Sequence, residues 1–489
     1  MALSDLILVT GVTGYVGKTL IPLLLDKGYR VRVLVRDPSR LRGVAWLDCV
    51  EVAEGDTLNL QSLSQAMLGV SSAYYLVHNM SSGRHYVERD MESARNFTAK
   101  AEEAGVNHII YLGGLANMGE KIGRHMQSRI DTGNTLREGR TPVTEFRASL
   151  IIGSGSISFE MIRYLTEQLP VIPAPAWLHN RVQPISVENV LDYLVAALED
   201  ETSRGKIYEI GGEDVITYLE TLTTYASLRG LKRSIIILPY LPVPLLAYFA
   251  SKLTPVPMHI TQPLIEGMRS SSVVKDGSAL KDFPGVRLID YRTAVQKALD
   301  RLVPSYLELK EKKKEGSYRM IQEGFQVEIQ RVEFEGDPLQ VYQTLTTLGG
   351  RKGWLYLNWI WKVRGLIDRL LGGPGMRGRP LTGLLAEGDQ IDFYQVETLR
   401  PGRMMRLKSE LKAPGAGWME WRVHPRAEGR VELEQIAYFI PHGLPGFLYW
   451  NILRPVHLIV FKGMIRAIAR QSVLEQRQSD EIELLLEEE

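Results

Sequence analysis

Short runs of consecutive apolar residues alternate, through the first half of the chain, with segments whose apolar positions recur every three or four residues. The runs are Leu6–Thr10, Val31–Val35, Val50–Ala53, Ala73–Val77, His108–Leu112 and Val143–Phe146. Helical spacing holds between them, over Tyr15–Lys27, over Leu58–Leu68 and over residues 85–104 and 123–138. Strands that are apolar throughout suit a sheet covered on both faces, and strict alternation with helices requires parallel strands joined by crossovers. The expectation is an α/β fold, a Rossmann doubly wound parallel sheet. Beyond Ile151 the pattern loosens, although Val187–Leu198 still predicts a helix and Ile207–Ile210 a strand.

After Phe325 the period changes from helical to two. Phe325–Phe334 alternates as a strand and Pro338–Leu348 has helical spacing. Then Gln390–Leu399, Arg403–Leu411, Gly417–Val423 and Arg430–Phe439 alternate apolar with polar, separated by turn signals such as Pro401-Gly402 and Pro414-Gly415. That pattern predicts an antiparallel sheet of hairpins, closed by a long helix from about Leu448 to Gln471. The domains expected are therefore 1–305, a charged linker 306–319 around Lys312-Lys313-Lys314, a second domain 320–472, and an acidic, frayed tail 473–489.

Composition narrows the function classes. A net charge of +1 gives no reason to expect nucleic acid as a partner, and one cysteine, Cys49, excludes an intrachain disulfide. No basic and apolar leader opens the chain, so a cytoplasmic protein is expected. Two apolar stretches come near the length of a membrane span. Ile235–Leu253 is interrupted by Pro239, Pro242 and Pro244, and Leu444–Met464 by Arg454, Pro455 and His457. Both are read as core helices, with weak peripheral membrane contact as the alternative.

The residues between the first strand and first helix carry the strongest chemical signal. In Thr10-Gly11-Val12-Thr13-Gly14-Tyr15-Val16-Gly17, Gly11 permits a sharp turn, Gly14 lets the backbone approach a pyrophosphate, and Gly17 allows close packing of helix on strand. The spacing G-x-x-G-x-x-G places amide groups at a helix N-terminus, where the dipole favours an anion. Thr13, Tyr15 and Val16 belong to the same cradle. At the end of the second strand stands Arg36, where an NAD-type site usually has an acid; a guanidinium suits a 2′-phosphate, so NADP(H) is preferred over NAD(H). Asp37 is an alternative partner for a ribose. Asp56 and Thr57, in the Gly55-Asp56-Thr57 step, are expected beside the adenine, with an N-cap of the following helix as the structural alternative for Asp56.

These residues, together with Tyr111-Leu112-Gly113-Gly114, Arg147-Ala148-Ser149, Gly153–Glu160 and Gln183–Val187, resemble the short-chain dehydrogenase/reductase superfamily. The likeness is to its atypical branch of NmrA-like proteins and relatives of the 39-kDa-type subunit of respiratory complex I, and it covers about residues 5–305. Active members of that superfamily use Tyr-x-x-x-Lys to move a proton and hold the nicotinamide ribose. The matching helix here reads His125-Met126-Gln127-Ser128-Arg129, so the resemblance leaves the proton donor undefined. Arg129 remains suited to ribose or phosphate, and His78 to the nicotinamide end. His125, Tyr111 and Lys121 are the weak catalytic candidates.

The second domain's order of strand, helix, antiparallel strands and long helix resembles the helix-grip fold of START-like and polyketide-cyclase-like domains. That family encloses an apolar cavity, which implies a small hydrophobic molecule or lipid as a partner. Trp354, Trp359, Trp361, Trp418, Trp421 and Trp450 suit either such a cavity or a dense core, and Arg377, Arg379 and Arg403 read as a solvated rim. No metal-ligand cluster is evident. Two functions stand side by side. One is an NADP(H)-dependent oxidoreductase reducing a hydrophobic carbonyl or quinone-like substrate held near the C-terminal pocket. The other is a non-catalytic redox sensor or assembly factor. Lipid transfer is a third, weaker reading.

Overall fold

The computed structural model describes residues 5–78, 85–117, 122–309, 316–380 and 385–487. The chain divides into two compact units, Met1–Glu311 and Lys312–Glu489.

The first unit is built on a seven-stranded sheet. Six of its strands are β1 (Leu6–Val9), β2 (Arg30–Val35), β3 (Glu51–Glu54), β4 (Val70–Tyr75), β5 (His108–Gly114) and β6 (Val143–Ala148), and Ile207–Ile210 adds the last. Their order is β3-β2-β1-β4-β5-β6 followed by Ile207–Ile210, and every pairing is parallel. All four residues of β1 are buried, because apolar clusters cover both faces. On one face lie α1 (Tyr15–Asp26) and the helix Val187–Glu199; on the other lie α2 (Leu60–Met67), α3 (Tyr86–Glu103) and α4 (Arg124–Arg137). Strand order reverses between β1 and β4, and a crevice opens outside the carboxyl ends of such strands.

Predicted and observed elements differ mostly by one to three residues at their ends. The segment 235–253 departs further. It is no core helix but a strand, Ser234–Leu238, a proline-containing turn, and a helix, Val243–Leu253, with many of its apolar side chains exposed. Pro242 and Pro244 sit where a helix begins, positions at which a missing N–H costs nothing.

The second unit is a seven-stranded antiparallel sheet. Its spatial order is Tyr318–Gln322, Phe325–Glu335, Arg430–Pro441, Gly415–Pro425, Met404–Ser409, Tyr394–Arg400 and Gln390–Ile391. A helix from Gly443 to Glu487 packs against the two long strands Phe325–Glu335 and Arg430–Pro441, the arrangement of a helix-grip domain. It continues through the segment expected to be a frayed tail. Gln390–Leu399 was expected as one strand but breaks at Asp392, whose φ is 53°. The helix Asn358–Leu370 has no counterpart in the sequence reading; Trp359, Val363, Leu366, Ile367 and Leu370 share one face, which is exposed, while Trp361, Gly365 and Asp368 turn inward.

Five of the six tryptophans, Trp354, Trp361, Trp418, Trp421 and Trp450, are buried, whereas Trp359 is exposed. Trp354 stacks on Trp361 at 5.1 Å, and Trp450 on Phe439 at 5.0 Å. Arg377 and Arg379 are tied to backbone carbonyls of Asp392 and of Leu348 and Thr346 rather than forming a free rim.

Candidate functional site

The glycine turn follows β1 and leads into α1. Gly11 has φ +70°, and a Cβ there would run into the Leu76 carbonyl at the end of β4. A Cβ on Gly17 would lie 2.6 Å from the Gly11 oxygen, so both positions need glycine for space. Gly14 N donates to Gly11 O at 2.9 Å, which closes the turn. Thr10 fixes it to β4: its hydroxyl donates to Tyr74 O and accepts from Leu76 N. No side chain caps α1 at Gly14. A helix N-terminus without a side-chain cap, beside a cradle that a Cβ would fill, fits a pyrophosphate. Thr13 lies within the turn, and Tyr15 and Val16 line the cavity beyond it.

Arg36 is exposed at the carboxyl end of β2. Asp37 beside it accepts from Ser39 N at 3.0 Å and caps the turn Pro38–Leu41. Asp56 accepts from Leu58 N, while the N-cap of α2 is Asn59, not Asp56. Asn59 wins because its side chain reaches the N–H groups of Gln61 and Ser62. Thr57 is buried, and its hydroxyl accepts from Ser93 at 2.6 Å, so it serves the packing of α3.

A cavity of about 480 Å³ extends from the turn. Gly11, Gly14, Gly17, His78, His125 and Arg129 line one end, and side chains such as Met161, Leu165, Trp177, Leu222, Phe249 and Leu264 line the other. The whole cavity is formed by the first unit. Its second half comes from the loosely patterned region after Ile151, where no element had been assigned to a site.

At the polar end, His78 Nε2 and His125 Nδ1 are 3.1 Å apart, with ring centroids at 4.7 Å. His78 Nδ1 is 3.3 Å from Oδ2 of Asp90, a carboxylate buried on α3 that also accepts from Ser128 at 3.2 Å. The three residues form a carboxylate–imidazole–imidazole row. Burial, then the charge of Arg129, holds His78 below the usual histidine range, even with Asp90 opposing. Burial, then His78 and Arg129, pushes His125 down to about 3. Both rings are therefore neutral near pH 7. The carboxylate selects their tautomers: it favours a proton on His78 Nδ1, which makes Nε2 an acceptor for His125 Nδ1–H. His125 Nε2 is left as the nitrogen able to accept or, once protonated, to donate.

Arg129 donates to the carbonyls of Leu112 and Val77, and its guanidinium lies 5.2 Å over the Tyr111 ring. Tyr111 is corrected as a proton carrier. It is fully buried, its hydroxyl donates to Arg129 O at 2.8 Å, and burial raises its pKa further. Lys121 lies outside the described residues. Asp90 was missed altogether. Its signal was available, since it occupies the stripe Asp90, Ala94, Phe97, Ala101 that α3 turns inward. Among the described residues, no group of three or more His, Cys, Asp or Glu is placed to hold a metal ion.

Strand order, turn and cavity together define an NAD(P)(H)-binding Rossmann protein. Residues 11–140 match a family described as NAD(P)H-binding, and residues 325–464 match a protein family of unknown function, DUF2867. A putative dihydroflavonol 4-reductase of Synechocystis is 27% identical over 260 residues, which is 46% of this chain and 74% of that protein. Sterol demethylase protein B of Methylococcus capsulatus is 30% identical over 252 residues, 44% of this chain and 74% of that protein. The structure of Citrobacter triphenylmethane reductase complexed with NADP(H) aligns at a TM-score of 0.49 and 23% identity, covering 60% of this chain and 99% of that one. Through its first unit the chain belongs to the NAD(P)H-binding short-chain dehydrogenase/reductase superfamily.

Proposed function

We propose that the protein is an NADPH-dependent reductase of an apolar carbonyl or quinone-like substrate, held in the first unit's own cavity. The observation that carries the reading is continuity: one cavity joins the glycine cradle, the Asp90–His78–His125 row and a long apolar chamber. The reduced nicotinamide, when bound, supplies a hydride. Gly11, Gly14 and Gly17 admit the pyrophosphate, and α1 faces it with N–H groups. Exposed Arg36 suits a 2′-phosphate, and Asp37 is occupied in its own turn. The apolar walls exclude water and hold the substrate by burial. The oxygen of the reduced carbonyl takes a proton that comes from solvent water through His125, whose Nε2 accepts it and passes it on, while His78 with Asp90 steadies the transient imidazolium and the ring returns to its neutral form. Burial keeps that proton off the ring in the empty protein, and a developing alkoxide favours its uptake.

The test is titration of the protein with NADPH and NADH, followed by NADPH oxidation against quinones and aromatic aldehydes. NADPH is expected to bind more tightly than NADH, with turnover on part of the panel. Arg36→Asp should weaken NADPH relative to NADH by about tenfold or more, the effect of losing a charge-assisted bond. An unchanged ratio refutes the role of Arg36. Tight binding with no oxidation of any substrate would instead favour a dinucleotide sensor, a reading that the missing Tyr-x-x-x-Lys supports.

A further inference from the structure

The segment that follows the proline turn is apolar in a way that folding of the first unit does not use. On the helix Val243–Leu253, Ala247 and Ala250 are buried with Leu246 against Met161 and Ile265. Leu245, Tyr248, Phe249 and Lys252 occupy the opposite face at spacings of three and four, and all four are exposed. The helix is therefore apolar on both faces, with one charge at its end. A helix in water ordinarily keeps its outer face polar. The strand before it adds exposed Ile236, Ile237 and Leu238, and Tyr240 on the turn is 94% exposed.

Two further observations say what covers this face. From Thr221 to Ile265 the sequence contains no aspartate or glutamate, whereas it carries Arg229, Lys232, Arg233 and Lys252. Arg229 pairs with Glu167 and Arg233 is bound to the carbonyls of Thr166 and Glu167, while Lys232 and Lys252 are exposed. Lys252 Nζ lies 5.5 Å over the Tyr248 ring. Tyrosines and lysines bordering aliphatic side chains match the headgroup–acyl boundary of a bilayer. The patch is also continuous with the cavity: Phe249, 56% exposed, is one of its lining residues and touches Tyr248 at 5.7 Å between ring centroids.

We propose that this face docks on the surface of a bilayer containing anionic lipid, with the strand, turn and helix at residues 234–253 seated at the headgroup boundary. Docking there places the Phe249 edge of the cavity against the acyl region, so an apolar substrate passes between membrane and cavity without crossing water. No helix among the described residues is long and apolar enough to cross a membrane, so the contact is peripheral. The inference goes beyond the redox reading and is read without turnover.

The experiment is co-sedimentation of the full chain with vesicles of phosphatidylcholine, with and without phosphatidylglycerol. The protein is expected to sediment with the anionic vesicles, and less so at high salt. Tyr240→Ser combined with Tyr248→Ser should lower partitioning by about tenfold or more, because each ring loses its burial. Lys232→Glu combined with Lys252→Glu should lower it by a similar factor through charge alone. Leu68→Ser, at an exposed leucine just past the end of α2, should leave it unchanged. Failure of the wild-type chain to bind anionic vesicles overturns the proposal. So does undiminished binding by both double variants, which would place the contact elsewhere. A concentration-dependent dimer that both double variants abolish, in a chain that ignores vesicles, would assign the face to a second copy.

Discussion

Asp90→Asn tests the proton-handling row more sharply than removing either histidine, because it changes one charge and almost no volume. The carboxylate is buried, 3.3 Å from His78 Nδ1, and opposes the burial that keeps the ring neutral. In the variant, an amide N–H can donate to His78 Nδ1. That reverses the row, so His78 Nε2–H donates to His125 Nδ1. The support for an imidazolium is then lost along with the tautomer. A hydrogen bond to a charged group contributes about 1.5–3 kcal/mol. At about 1.4 kcal/mol per tenfold, kcat should fall by about ten- to a hundredfold. Asp90 does not line the cavity, so KM and NADPH affinity should hold within about twofold. The assay is steady-state NADPH oxidation across pH, with cofactor binding by titration and a thermal transition as a check on folding. A folded variant with wild-type kcat and pH profile would refute the row as a proton path.

Four perturbations follow from other parts of the structure, beginning with Ala250, which is buried in the apolar wall of the cavity. Ala250→Trp should raise KM for a bulky substrate by about tenfold while NADPH binding stays unchanged, and a shift in NADPH binding instead would misplace the substrate. Two other buried histidines make the protein acid-sensitive: burial, then Arg204, pushes His108 down to about 4, and burial, then Arg364 and Arg319, pushes His457 down to about 3. An unfolded histidine titrates near about 6.5, so the unfolded chain binds more protons below that pH. Stability contributed by these neutral rings is complete above about 6.5 and is lost as pH falls toward 4 and 3, which melting temperatures across pH will show. His457→Phe should flatten that slope for the second unit, and a slope left unchanged would mean that His457 is not its source. Glu420 is fully buried between Arg406 and Arg422, which also hold longer pairs to Glu397 at 3.6 Å and Glu434 at 3.8 Å, so Glu420→Ala removes the close partner of both cations and should cost about 3 kcal/mol in chemical denaturation. A loss under about 1 kcal/mol would mean that solvent reaches the pair.

The strands of the first sheet and the glycine turn were legible because each is a local pattern, an apolar run or a residue type that a tight backbone demands. The same holds for the hairpins of the second unit. The candidate site was legible only in part. His78 and His125 are far apart in sequence, and nothing local says that the end of β4 lies beside the start of α4. Asp90 reads as one acid among several on a charged helix until its place in the inward stripe is counted. Segment 235–253 misled for the opposite reason. Its hydrophobicity was plain, but hydrophobicity alone does not distinguish a side chain packed inside from one that the folded protein leaves outside.

The two ends of the cavity come from separate stretches of the chain. The cradle is made by residues 10–17 with the ends of β4, β5 and α4, and the chamber mostly by segments after Ser156. Substitutions that reshape the chamber therefore leave the nucleotide's seat untouched. A lineage carrying this architecture can drift toward new substrates without re-evolving its use of the cofactor. A protein engineer can exploit the same seam by exchanging residues 157–178 and 218–268 between relatives, which leaves the helix Val187–Glu199 and the strand Ile207–Ile210 in place.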